Sequence, residues 1–287
     1  MFKVGIIGSE NSHAMAFSEL FNLSGAYDDI CVVAVWGEDM EASEKIAAKC
    51  GVEIVKPGDM LGQVDAVMIT SRNGALHPGY ARPFIEAGKP AFIDKPIAND
   101  GGEAAALVRL AGEKGVPVMG GSSLKLVDGT LIARAFAAER KAKGELLGGF
   151  VFAPVSMENP YGGFYFYASH LVETALTIFG YDPVAVSAAR TRAGLSCTLE
   201  YRDYCASLCY TDGVYNYGAT VLGKDGAFMR DITLENAYAR EGAHFAQMLR
   251  TGEMPQSGSD MVEPVFVMNA IERAYQTGTR QEILRDC

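Results

Sequence analysis

A lysine between an acid and a proline, Asp94-Lys95-Pro96, stands at the end of the short run AFID (91–94). An ammonium held at a strand end is a candidate for a task in a cleft; the alternative is a plain surface-loop cation. A second candidate is His170 with Glu173, three residues apart and so on one face of a helix. Imidazole titrates near neutrality, which suits proton exchange, and Glu173 can orient the ring or contact a ligand. A satisfied core histidine at a helix start would read the same way. The third candidate is a turn. FKVGIIG (2–8) ends at a glycine and SENSHA (9–14) opens the next segment. At such a strand-to-helix turn, backbone N–H groups and the helix dipole bind phosphate. Gly8, Ser9, Asn11 and Ser12 offer donors, and His13 can add a charge-assisted contact. Against the pattern G-x-G-x-x-G only Gly8 matches, with Glu10 and His13 at the other two glycine positions. A carboxylate at position 10 suits a pyrophosphate only if it points away, and an ordinary βα loop is the alternative. Beyond the second strand, Gly37 stands where a ribose-binding acid is usual. Glu38 and Asp39 follow it, and either can hold ribose hydroxyls while disfavouring a 2′-phosphate.

The surrounding pattern supplies elements to hold these groups. Strand-like runs at 2–8, 30–35, 52–55, 64–70, 91–94 and 116–121 alternate with helical segments at 12–24, 40–50, 77–87 and 101–114. Ala14, Phe17 and Phe21 recur at helical spacing, with Asn11 or Ser12 as cap. The alternation implies right-handed βαβ crossovers and a parallel sheet. One more helix follows near 128–142. From 146 the chain turns β-like: LGGFVFAPV, PVAVSAARTR, CTLEYRDYCASLCYTDG and YNYGATVLG are separated by Gly, Asp and Pro turns, which predicts an antiparallel sheet. Helices near 168–179, 235–250 and 261–277 are expected to cover one face of it. The expected fold class is therefore an α/β Rossmann-type domain over 1–121, followed over 122–287 by an α+β domain with an open, mainly antiparallel sheet.

The chain has 287 residues, 49% of them hydrophobic, enough for two cores. Its net charge of −10 and its lack of basic runs with interleaved aromatics argue against nucleic acid. No signal-peptide pattern opens it and no apolar run approaches a bilayer span, so no membrane partner and a cytoplasmic location are expected. The six cysteines (31, 50, 197, 205, 209 and 287) are scattered; Cys205 and Cys209 read as ordinary thiols on a strand, and no metal site is expected. His244 is assigned to structure.

VDAVMIT (64–70), Asn73 and His77 opening a helix, AGKP (87–90) and DKPIA (94–98) together resemble the Gfo/Idh/MocA family of glucose–fructose oxidoreductase and inositol dehydrogenase relatives. Gly162, Gly163, His170 and Glu173 resemble its G-G-x-x-x-D-x-G-x-H-x-x-D signature, and FAQMLRTGEM through AYQTG resembles its last two helices. The resemblance implies an NAD(P)-dependent oxidoreductase acting on a hydroxyl or carbonyl of a sugar, cyclitol or related polyhydroxy compound. NAD is the expected cofactor, with NADP open. It implies that Lys95 sits beside the nicotinamide and the reacting hydroxyl, with Pro96 aiming it, and that His170 exchanges the hydroxyl proton with Glu173 in support. Ser71, Asn73, His77 and Asp94 would join the cofactor side. It further implies a homodimer or homotetramer through the C-terminal sheet. The sequence departs from the family at Phe166, where an aspartate is usual. A phenol at Tyr165 or Tyr167 is the available substitute, although strand alternation would turn both away. The alternatives are a nucleotide- or sugar-binding regulatory module, and a non-redox lyase or isomerase. The aromatic run YGGFYFY (161–167) fits either a sugar-stacking face or a packed interface loop.

Overall fold

The computed structural model describes residues 1–285, so Cys287 lies outside the described residues. The chain divides into two compact units, and the first comprises Met1–Ala98, Gly102–Gly121 and Tyr238–Met261. Its elements run β1 (Phe2–Ile7), α1 (Ser12–Asn22), β2 (Ile30–Trp36), α2 (Met40–Cys50), β3 (Glu53–Ile54), α3 (Pro57–Met60), β4 (Ala66–Ile69), α4 (His77–Glu86), β5 (Ala91–Ile93), α5 (Gly101–Lys114) and β6 (Val118–Gly120). All neighbours pair in parallel, in the order β3-β2-β1-β4-β5-β6. Strands covered on both faces read as unbroken apolar runs, and Val4, Ile6, Ile7 and the whole of β4 are buried. Strand order reverses between β1 and β4, the switch point at whose carboxyl ends ligands bind in such sheets.

Helix α1 starts where the sequence predicts. Asn11 is its N-cap, with the side-chain oxygen accepting from the His13 N–H at 3.4 Å. Helix α2 is capped by Asp39 and closed by Gly51 at φ +68.

The second unit comprises Asn99–Gly101, Ser122–Ala237 and the described residues from Val262 onward. It carries α6 (Asp128–Ala142), β7 (Leu146–Pro154), α7 (Tyr165–Phe179), β8 (Ala185–Thr191), β9 (Gly194–Glu200), β10 (Cys205–Thr211), β11 (Tyr217–Gly223) and β12 (Gly226–Ile232). Along the chain α8 (Ala237–Thr251) follows, which lies in the first unit, and then α9 (Gly258–Thr277) and β13 (Gln281–Glu282). The sheet order is β12-β11-β7-β10-β9-β8-β13. Every pair is antiparallel except β7 with β10, which is parallel.

Four details differ from the sequence reading. CTLEYRDYCASLCYTDG is two strands rather than one run, folded back where the Tyr201 N–H donates to the Tyr204 carbonyl at 2.9 Å. Strands β12 and β13 were not anticipated, since GAFMRDI (226–232) is exposed at nearly every position and carries no apolar alternation. Helix α8, expected over the second sheet, belongs to the first unit: its Phe245 and Met248 join the core formed by Phe17 and Phe92, with Phe92 and Phe245 rings 6.4 Å apart. An amphipathic stripe specifies a buried face but not its partner. Finally, α7 begins at Tyr165, not 168, right after Gly162 and Gly163 at φ +107 and +59. Phe166 and its flanking tyrosines are therefore helical, about 100° apart around an axis, and the alternation argument about their directions does not hold.

Candidate functional site

In the first unit, the turn after β1 is built against the segment after β4. Gly8 sits at φ +109, and a Cβ there would collide with the Ser71 amide nitrogen. Only glycine gives both the dihedral and the close approach. Ser9 faces inward, its hydroxyl 2.8 Å from that of Ser43. Ser12 is exposed at the start of α1, 3.1 Å from the Tyr238 hydroxyl.

Glu10 points away from that helix start. Its Oε1 accepts from the Arg72 backbone N–H at 3.2 Å, on the loop after β4. Its Oε2 is buried without a hydrogen-bond partner. A Cβ on Gly37 would come within 2.7 Å of that oxygen, so the carboxylate lies against the end of β2.

The Asp94-Lys95-Pro96 segment is clamped on both sides. Asp94 is fully buried; its Oδ1 accepts from the Lys95 N–H at 2.7 Å and its Oδ2 from the Asn11 side-chain amide at 2.9 Å. The Pro96 carbonyl lies 2.7 Å from His77 Nδ1, and the Ser71 carbonyl lies 2.8 Å from His77 Nε2. Thus His77 ties the loop after β4 to the loop after β5. The Lys95–Pro96 peptide is cis. Lys95 is 5% exposed, so it is no surface cation. Full burial lowers the His77 pKa against the opposing pull of Asp94 and the two carbonyls.

His13 does not face a phosphate. Its ring is buried, with Nδ1 3.1 Å from Asn11 Oδ1 and 3.4 Å from Asp94 Oδ2, and with Nε2 3.7 Å from Glu241 Oε2 on α8. Tyr238 closes over it edge-on at 4.5 Å. Burial lowers its pKa, with Asp94 opposing. The residue at the third fingerprint position thus knits α1 to the unit's interior, which a sequence-only reading could not reveal.

Of the remaining expected cofactor residues, Asn73 caps the short turn Gly74–Leu76 through the Ala75 N–H, and Ser71 is buried with its hydroxyl 3.4 Å from the Asn73 carbonyl. Glu38 is exposed just past β2, whereas Asp39 is committed to capping α2. Three features fit a dinucleotide: the glycine-only backbone at Gly8, the carboxylates of Glu10 and Glu38 near the end of β2, and the N-terminus of α1, whose first N–H groups lack intrahelical partners.

In the second unit, two polar rungs join a 3-10 turn, Ser123–Leu126, to helix α7. Ser122 Oγ lies 2.7 Å from His170 Nδ1, and Lys125 Nζ lies 3.2 Å from Glu173 Oε2. All four side chains are buried. The i, i+3 spacing repeats on both elements, so the rungs stack. Ser122 also accepts from the Leu124 N–H at 3.2 Å, which fixes its rotamer as an N-cap. Rings flank His170: Tyr167 at 6.5 Å and Tyr217 at 6.1 Å. Phe166 lies tilted against Tyr161 at 5.8 Å and meets Tyr167 edge-on at 4.7 Å. Tyr165 turns away; its hydroxyl donates to Glu272 at 2.7 Å and accepts from Asn269 at 2.7 Å.

Ser122 and Lys125 were missed by sequence reasoning. The available signal was a serine cap followed three residues later by lysine, matching the His170/Glu173 spacing, but nothing local links positions 48 apart. Among the described residues, no group of three or more His, Cys, Asp or Glu side chains could hold a metal, and no helix is long and apolar enough to cross a membrane.

Residues 2–122 match the sequence model of the family GFO_IDH_MocA, described as "Oxidoreductase family, NAD-binding Rossmann fold". Inositol 2-dehydrogenase 1 of Saccharopolyspora erythraea is 34% identical over 101 residues, which cover 33% of this chain and 29% of that relative. The fold is shared more widely. A myo-inositol dehydrogenase structure from Corynebacterium glutamicum superposes with TM-score 0.83 at 19% identity, over 99% of each chain. A scyllo-inositol dehydrogenase from Lactobacillus casei, with bound NAD(H) and scyllo-inositol, does so with TM-score 0.83 at 14% identity, again over 99% of each.

Proposed function

We propose that the chain, whose residues 2–122 match the GFO_IDH_MocA family model, is an NAD-dependent oxidoreductase acting on a CH–OH group of a cyclitol, sugar or related polyhydroxy compound. The observation that carries this reading is the burial of Lys95 on a segment clamped by Asp94 and His77.

Hydride acceptance is the chemistry that a nicotinamide supplies when bound. The protein's residues handle position and protons. Gly8, Ser9 and Ser12 form the turn that would hold a pyrophosphate, with Asn11 and Asp94 holding that turn to the lysine loop. The Lys95 ammonium steadies negative charge on the substrate oxygen as the hydroxyl is deprotonated. His170 takes the proton at Nε2. Ser122 holds Nδ1, so the ring is oriented before substrate arrives. The Lys125–Glu173 pair offers a donor and an acceptor side by side, a match for neighbouring hydroxyls of a polyol. Tyr167 and Tyr217 supply ring faces for its C–H surface.

The same reading assigns the protein to the cytoplasm and makes it a homo-oligomer through the second sheet. Leu147, Phe150, Leu222 and Met229 are exposed at 39% or more on its strands, and apolar side chains gathered on one sheet mark interfaces. Light scattering at micromolar protein reads the mass directly; a monomer removes that assignment. The activity itself is tested by incubating the protein with NAD and a panel of inositols and sugars while following nicotinamide absorbance. Reduction of NAD by at least one polyol is expected.

A further inference from the structure

Three acids lie near the end of β2, and they are not equivalent. Asp39 caps α2. Glu38 is exposed, so a ribose hydroxyl would merely replace water on it, with little net gain. Glu10 differs from both. One oxygen is pinned by the Arg72 N–H, and the other, Oε2, is buried beside Gly37 with no partner. A buried acceptor left unsatisfied carries its whole desolvation penalty, which an arriving donor removes. The surroundings have the make-up of an adenosine site. Trp36 at the end of β2 and Tyr80 on α4 lie edge-on at 5.8 Å, and Glu38 and Glu10 are both close enough to Tyr80 to help burial raise its pKa. Gly37 is required where it is, since a side chain there would strike Ser9 and Glu10.

We propose that Glu10 reads the adenosine ribose of the dinucleotide: its unpartnered oxygen accepts from the 2′-hydroxyl, and its charge excludes a 2′-phosphate, restricting the site to NAD. The inference rests on the first unit being a dinucleotide site. Although Oε2 has no water contact, the Glu10 side chain is only partly buried. The terminal torsion of a glutamate is broad, so Oε2 can be turned outward to a ligand, loosening Oε1 from the Arg72 N–H as it does so. The second fingerprint position, where glycine ordinarily lets the backbone approach phosphate, is thereby put to a different use: the carboxylate swings off the pyrophosphate path and serves the sugar next to it.

The test is a fluorescence titration of the purified full chain with NADH and with NADPH, for the wild type and for Glu10→Gln, Glu10→Gly and Glu38→Gln. Far-UV circular dichroism verifies that each variant is folded. Glutamine keeps the Arg72 contact, because its amide oxygen still accepts. The wild type is expected to favour NADH by on the order of 100-fold, the cost of setting like charges together. Glu10→Gln should cut that preference about tenfold or more, mainly through tighter NADPH binding, whereas Glu38→Gln leaves it within a few-fold. A wild type without NADH preference, or a preference that survives in Glu10→Gln and falls in Glu38→Gln, overturns the proposal. So does tighter NADH binding by Glu10→Gly than by wild type, which would make Glu10 an obstruction while keeping the dinucleotide site. Absence of binding by both the wild type and Glu10→Gly at millimolar cofactor overturns the dinucleotide site itself, and the proposal with it.

Discussion

Lys125→Met is the perturbation whose outcome follows most directly from the geometry of the second unit. Lys125 Nζ and Glu173 Oε2 are 3.2 Å apart, with side chains 10% and 5% exposed. Removing one partner leaves a desolvated carboxylate beside His170, and breaking buried pairs in this way costs about 3–5 kcal/mol. Lys125→Met/Glu173→Leu replaces both charges with apolar groups of similar volume. Such replacements are often neutral or stabilising by about 1–4 kcal/mol, so the double variant should recover most or all of the loss. Urea unfolding followed by far-UV circular dichroism measures both. The recovered protein should nevertheless have lost most of its polyol turnover, because the pair then exists for substrate rather than for stability. Additive losses in the double variant would refute the account of the pair as a buried, mutually compensating unit. Full turnover in a stable double variant would refute its assigned role with substrate.

Other outcomes follow. Ser122→Ala removes the partner of His170 Nδ1, and turnover should fall about 10–100-fold, the scale of a misplaced acid/base group; Ser122→Thr, which keeps the hydroxyl, should restore most of it. The chain has four histidines, so ¹⁵N spectra can follow the ring of His170 directly, and an unchanged spectrum in Ser122→Ala would remove Ser122 from the site. His13 and His77 have pKa values lowered by burial, so the unfolded chain binds protons first as pH falls. Stability should be complete above about pH 6.5 and decline below it, by up to about 1.4 kcal/mol per pH unit for each histidine. Thermal melts between pH 8 and 5 check this, and His77→Asn should flatten the slope if the protein still folds. Gly8→Ala meets both a positive φ and the Ser71 backbone, and should cost at least about 1–3 kcal/mol along with NADH affinity; a melt equal to wild type would show that the turn is not fixed as described.

The parallel half was legible because its strands are buried on both faces and its helices carry their own punctuation. FKVGIIG ending at Gly8, Asn11 at the head of α1 and Gly51 at the foot of α2 each act locally. What stayed hidden depends on partners distant in sequence. His13 reads as a phosphate ligand until Asp94 and Glu241 are seen on either side of its ring. The start of α7 was obscured because FYFY has the aromatic content of a strand, while the bonds of Tyr165 to Glu272 and Asn269 hold it in a helix. Ser122 caps, and Lys125 lies in, a four-residue turn too short to show periodicity, and their importance comes from the helix they face. Lys95 was the reverse case: its neighbours in sequence singled it out, and its burial then removed the reading as a surface charge.

The central claim, that the lysine loop serves polyol oxidation, is tested most directly by Lys95→Ala measured twice, for NADH affinity by fluorescence and for polyol-dependent NAD reduction. The account predicts affinity within a few-fold of wild type and turnover reduced by at least about 100-fold. Turnover unchanged in Lys95→Ala, with the same polyol and cofactor, would contradict it.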